Sequence, residues 1–176
     1  MQIENHIHVR EAKLSDIPLI VNYWMTSSDD HLIGMGVDLN KLPRKEDLTI
    51  ALTHAITSKQ SYALIWELEG KAIGHTNVNN LTIGEHANMH IHLWKNTTRQ
   101  KGLGTQLILA SLPLYFDNLK LKTIYCEPYA LNPAPNLTLE KIGFQFVKLY
   151  TTIPGSINFE QEVNQWKLTR EQFDKL

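Results

Sequence analysis

A mixed α/β domain, one sheet carrying helices on its faces, is the fold class the sequence predicts, and three observations predict it. Leu48, Ala51, Leu52, Ala55 and Ile56 recur at the spacing of one helical face. Tyr62 to Leu68 and Lys71 to Asn79 are strand-like runs joined by a Glu69-Gly70 turn, which is a hairpin. A strand-like run at 86–94, a helix-like run at 103–117 and a strand-like run at 122–126 make a β-α-β unit, so its two strands lie parallel.

The elements follow in order. Ile7 to Arg10 alternates as a first strand, and Ser15 stands as the cap of a short helix with Pro18 in its first turn and Leu19, Ile20, Tyr23 and Trp24 as its apolar positions. Thr26 to Asp38 is polar and contains glycine, the composition of a loop. The helix through 48–56 comes next, then the hairpin and the β-α-β unit. Pro113 falls inside the long helix, where it removes a hydrogen bond and favours a bend. Asn132-Pro133 opens a further helix and Gly143 closes it. Phe144 to Tyr150, a turn at Pro154-Gly155 and a strand at 165–168 complete the chain.

The 176 residues fit a single domain, 1–176, large enough to bury a core without staples. Hydrophobic residues make up 43 % and charged residues 20 %, with a net charge of −1, which is globular and gives no basic footprint for nucleic acid or anionic membrane. No apolar run reaches the roughly 18–20 residues of a membrane span, and the N-terminus has no signal-peptide pattern, so a cytoplasmic protein is expected. The single Cys126 excludes an intrachain disulfide and reads as a buried thiol. No metal is expected, because no pattern near the histidines supplies a third ligand.

Arg99-Gln100-Lys101-Gly102-Leu103-Gly104-Thr105 carries the chemistry. Glycines at 102 and 104 let backbone approach a ligand closely. A helix opening there aims free N–H groups and a positive dipole end at whatever stands before the loop, and Arg99 and Lys101 add charge. Such a loop cradles phosphate.

Arg99-x-x-Gly102-x-Gly104, together with Asn132 followed by Leu139-Glu140-Lys141-Ile142-Gly143-Phe144, resembles the two signatures of the GNAT superfamily of acetyl-CoA-dependent N-acetyltransferases. The resemblance covers nearly the whole chain and is closest to the ribosomal-protein N-terminal alanine acetyltransferases. It implies a GNAT-type mixed sheet with splayed fourth and fifth strands, flanked by about four helices. It also implies acetyl-CoA as cosubstrate, with Leu93 and Trp94 offering backbone groups to the pantetheine, residues 99–105 holding the pyrophosphate and Asn132 facing the cofactor. Asn132 serves equally as a plain helix cap.

The chain departs from the second signature at two positions. Pro135 stands where the family has serine, and Leu139 where many members place a tyrosine, so both usual donors of a proton to the leaving thiolate are missing. Tyr129 or a water is the substitute. Loss of an acid is tolerable, because aligning amine and thioester supplies much of the acceleration.

An amine nucleophile must lose a proton, at a cost of roughly 4–5 kcal/mol at neutral pH for a lysine-like amine and far less for an α-amino group. Histidine is the default base. His90 and His92 share a strand face with Trp94, while His75, Asn77 and Asn79 share a face of the preceding strand, so the two sets meet if those strands pair. His92 and His90 are the candidate bases, with Glu127 at the end of the fifth strand, or Glu85 or Glu67, as acidic alternatives acting directly or through water. His75 and Asn77, with Asp29, Asp30 and His31 between the first two helices, are candidates for holding a cationic acceptor. These side chains also suit a solvated sheet face and an exposed loop.

Acetyl transfer to a small amine or a protein N-terminus is the leading function, by a monomer or homodimer. A non-catalytic acyl-CoA-binding module is the alternative, and the weak charge disfavours a nucleic-acid-linked enzyme.

Overall fold

In the computed structural model, which describes residues 6–58, 61–94 and 102–176, one seven-stranded sheet runs through the molecule. Its strands are β1 (Ile7–Glu11), β2 (Tyr62–Leu68), β3 (Lys71–Thr82), β4 (His86–Leu93), β5 (Thr123–Cys126), β6 (Gln145–Thr152) and β7 (Gln161–Thr169). They lie in the order β1-β2-β3-β4-β5-β7-β6. Every pairing is antiparallel except β4 with β5. The helices are α1 (Ile17–Thr26), α2 (Asp29–Gly34), α3 (Lys45–Thr57), α4 (Leu103–Asn118), α5 (Pro133–Ile142) and α6 (Arg170–Phe173).

The parity of the strands sorts them into two faces. Leu64 and Trp66 of β2, Val78 of β3, Ala87 and Met89 of β4, Ile124 of β5 and Leu168 of β7 meet Leu107, Ile108, Leu112, Tyr115 and Phe116 of α4 and Leu139 and Ile142 of α5 in one apolar core. Two hydrogen bonds fix α4 to it: Trp66 Nε1 donates to Ser111 Oγ at 2.8 Å, and Tyr115 Oη to Thr76 Oγ1 at 3.1 Å. The opposite face carries His75 and Asn77 of β3 and His90 and His92 of β4, on the side where α1 packs against α3.

Several expectations change. Ser15 is not the cap of the first helix: a 3-10 turn at Leu14–Asp16 precedes α1, whose N-cap is Asp16. Asp16 instead accepts two hydrogen bonds from the Arg10 guanidinium, at 2.8 and 2.9 Å, which ties the turn to β1. Leu19 is 45 % exposed, and Val21 takes the buried position beside Ile20. The supposed loop after α1 contains α2, capped by Ser28 Oγ, which accepts from the His31 N–H at 3.3 Å. Pro113 sits inside α4 without ending it. The last strand begins at Gln161, and the chain ends in the short α6, capped by Thr169.

Candidate active site

The β4–β5 pairing lasts three residues, His86 with Thr123, Ala87 with Ile124 and Asn88 with Tyr125. β4 then continues along β3 to Leu93 while the chain after Cys126 turns away, so the two parallel strands splay. The last link between them is Cys126 Sγ, which donates to Met89 O at 3.1 Å. Burial pushes the Cys126 thiol up to about 12, so it is inert at neutral pH. A cleft of about 320 Å³ opens from this point, walled by β4, by Glu127 to Tyr129 and Asn132, and by the turn Pro154 to Asn158.

The gap suits an extended chain with amide groups. Trp94 N–H donates to Ile73 O at 2.8 Å, so that group is taken by β3. In antiparallel geometry the backbone groups of the preceding residue, Leu93, then point away from β3, toward the gap. α4 starts from Gly102, in the left-handed region at φ 76°, with no side-chain cap among the described residues. A Cβ on Gly102 or Gly104 would meet nothing within 4 Å among the described residues. The opening turn of α4, including Leu103 and Thr105, thus combines uncapped N–H donors with open space, the requirement of a pyrophosphate. Leu103 itself buries its side chain in the core, leaving only its backbone for such a role. Arg99, Gln100 and Lys101 lie outside the described residues.

The register of β3 and β4 brings the two polar sets together: His75 faces His92, Asn77 faces His90 and Asn79 faces Asn88. The His75 and His92 rings stack at 4.6 Å. Trp94 Nε1 donates to His75 Nδ1 at 2.7 Å, which makes that nitrogen an acceptor and places the His75 proton on Nε2. Burial lowers His75 to about 3, with His90 adding to the effect. Burial also lowers His90, against the opposing pull of the Glu127 charge. His92 falls well below its usual value through burial and the neighbouring histidines. All three are therefore neutral at pH 7. His90 Nε2, His92 Nδ1 and Asn79 Oδ1 are buried without a hydrogen-bond partner among the described residues.

Glu127 stands at the opposite wall of the cleft. Its Oε1 accepts from Tyr150 Oη at 2.7 Å and from Gln165 Nε2 at 2.6 Å, so two strands hold the carboxylate in place. Asn132 also lines the cleft; it is the N-cap of α5, but its side chain makes no cap hydrogen bond. Pro135 lines the cleft too, whereas Leu139 is fully buried in the core. Tyr129 is the phenol at this end.

Asp29 and Asp30 are exposed in the first turn of α2 and line neither this cleft nor the chamber beside it. His31 shares a 3.0 Å hydrogen bond with Tyr23 Oη. Sequence reasoning missed Tyr23, whose ring lies 5.9 Å from His75 and 5.8 Å from His92 and seats α1 on the histidine pair. It also missed Asn136, which donates to Asn132 O and Tyr129 O and accepts from Trp166 and Asn164. Asn136 falls where the second signature has only a spacer, so no local signal marked it.

The family model described as an acetyltransferase (GNAT) domain matches residues 6–145. Among solved structures, spermidine N-acetyltransferase from Vibrio cholerae, in complex with CoA and spermine, is 18 % identical with a TM-score of 0.78, covering 95 % of this chain and 97 % of that one. RimL, a ribosomal-protein α-N-acetyltransferase in complex with coenzyme A, is 13 % identical with a TM-score of 0.77, covering 94 % and 95 %. The aminoglycoside acetyltransferase AAC(6')-Ib in complex with coenzyme A is 19 % identical with a TM-score of 0.76, covering 97 % and 98 %. At these identities the likeness is one of fold. No curated protein matches the sequence.

Proposed function

Starting from the fact that the chain belongs to the GNAT family and is an acetyl-CoA-dependent N-acetyltransferase, we propose that acetyl transfer to a primary amine takes place in the β4–β5 cleft, with Glu127, His90 and His92 as its catalytic wall. The observation that carries this reading is the opening of the parallel pair after three residues, with a held carboxylate on one side and two neutral histidines on the other.

Acetyl-CoA, when bound, supplies the thioester carbon and a thiolate leaving group. The chain's own residues do the rest. Leu93 presents backbone groups to the pantetheine, Gly102 to Thr105 present N–H groups to the pyrophosphate, Arg99, Gln100 and Lys101 precede them in the sequence as further candidates for that role, and Asn132 faces the cofactor from α5. His92 and His90 border the amine on the β4 wall of the cleft and orient its lone pair. Because burial makes both histidines weak bases, Glu127 takes the amine proton, directly or through one water. Tyr129 Oη or a water returns a proton to the departing thiolate, the task for which Pro135 and Leu139 have no group. His75 and Asn77 border the acceptor's path.

The acceptor is a small amine or a protein N-terminus, the range spanned by the amines that the structural neighbours are named for. No described helix is long and apolar enough to cross a membrane, and a cytoplasmic location accords with the one free thiol, Cys126. The test is amine-dependent release of CoA by the purified protein. An acyl-CoA-binding module would bind acetyl-CoA and release nothing in response to amines.

A further inference from the structure

α3 carries the apolar stripe Leu48, Ala51, Leu52, Ala55 and Ile56, yet none of its residues is buried. The reason is a chamber of about 200 Å³ between α3, α1 and the sheet, walled by Ile20, Trp24, Leu48, Leu52, Ile56 and Ile157. Its polar wall consists of Ser61, His75, Asn77 and His92, and no Asp, Glu, Lys or Arg lines it among the described residues. Trp24, Asn77, His92 and Ile157 line both this chamber and the β4–β5 cleft, so the two adjoin across a shared wall. Glu127 is the only Asp, Glu, Lys or Arg lining either of them among the described residues.

Charge and size together identify an occupant. A second ammonium in the chamber would have no carboxylate to face, and an unpaired buried charge is strongly disfavoured. An apolar cavity of about 150 Å³ takes a benzene ring, so this chamber accommodates a group of phenyl or isobutyl size.

We propose that the chamber receives the uncharged apolar arm of the acceptor, and that the acceptor is a primary amine with a single positive charge, either a free arylalkyl- or alkylamine or the N-terminus of a peptide with an apolar first residue. The proposal rests on the acetyl-transfer reading above and adds the acceptor's class. The chain thus discriminates against polyamines and aminoglycosides. The neutrality of His75 and His92 maintains the chamber free of charge, and Trp24 and Ile157 stand at the junction where the arm ends and the amine begins.

The experiment measures CoA release and direct binding with 2-phenylethylamine, a phenylalanine-led tripeptide amide and spermidine. The expected result is a kcat/KM for 2-phenylethylamine or the peptide at least about 30-fold above that for spermidine; which of the two leads distinguishes a free amine from an N-terminus. Leu52→Asp, which charges the chamber, and Ala55→Trp, which fills it, should each raise KM for the preferred probe about tenfold more than they change kcat. Two variants are used so that a folding defect in one does not decide the matter. Equal or better turnover of spermidine overturns the proposal while leaving acetyl transfer intact. If no amine releases CoA, the acetyl-transfer reading fails instead, and calorimetry then decides the chamber: 2-phenylethylamine binding that is lost in both variants supports it, and binding unaffected by them refutes it.

Discussion

His75 and His92 stand directly opposite each other on β3 and β4, their rings stacked at 4.6 Å and inclined by 20°, and the Trp94 indole N–H holds His75 Nδ1 as an acceptor. The pair is stable only while uncharged. His75 titrates near 3 in the fold, against about 6.5 in an unfolded chain. Between these values the unfolded state binds a proton that the folded state refuses. Stability is therefore full above pH 6.5 and falls as the pH drops toward 3, by about 1.4 kcal/mol per unit for this one histidine. The urea midpoint of the wild type should fall between pH 7 and pH 5. His75→Gln, which retains an acceptor for Trp94, should fall less steeply; identical slopes would show that the acid sensitivity lies elsewhere.

Gly102 and Gly104 should separate folding from binding. Gly102 has φ at 76°, so Gly102→Val costs about 1–2 kcal/mol of stability whatever the space around it. Gly104 lies inside the helical first turn, and a Cβ there meets nothing within 4 Å among the described residues. Gly104→Val should keep the wild-type Tm and weaken CoA binding at least about tenfold in calorimetry, because a side chain then fills the space needed for close backbone approach. Unchanged CoA affinity would remove the phosphate from this loop.

Asn136 uses its whole amide: the nitrogen donates to Asn132 O at 2.7 Å and Tyr129 O at 3.1 Å, and the oxygen accepts from Trp166 at 2.8 Å and Asn164 at 2.9 Å. It fastens the start of α5 to β7 beside the cleft. Asn136→Ala strands a buried indole N–H and should cost about 2–3 kcal/mol, read as a lower denaturant midpoint. A loss below about 0.5 kcal/mol would show that water replaces the amide without penalty.

Glu127→Gln preserves the shape and the Tyr150 and Gln165 contacts through its carbonyl oxygen but cannot take a proton. It should lower kcat/KM by about 100-fold or more, with CoA affinity unchanged. His90→Ala and His92→Ala should chiefly raise the acceptor KM. If instead the histidine variants lose the activity and the acidic limb of the pH profile, and Glu127→Gln retains both, the base is a histidine.

What was legible in the sequence is local. The Tyr62–Leu68 strand with its Glu69-Gly70 turn and the Gly102 helix start are set by neighbours in the chain, and they lie where expected. The polar faces of β3 and β4 follow from period-two parity, which placed His75 against His92 once the strands paired. What escaped is long-range. α2 is only six residues, too short to show a period, and it holds its place through bonds such as Tyr23 to His31. The grip of Tyr150 and Gln165 on Glu127 joins residues 23 and 38 positions apart, and only the insertion of β7 between β5 and β6 explains it. The empty stripe of α3 was legible as a helix but not as the wall of a chamber.

The central claim is that the β4–β5 cleft transfers acetyl groups to amines, and its most direct test is mass spectrometry of the reaction of the purified protein with acetyl-CoA and an amine panel that includes 2-phenylethylamine, a phenylalanine-led peptide amide and spermidine. An N-acetylated amine should form in equal amount with free CoA, with both sharply reduced in Glu127→Gln and reduced in Gly104→Val when acetyl-CoA is subsaturating. Tight binding of acetyl-CoA with no acetylated product from any amine, and CoA release no faster than hydrolysis, would contradict it.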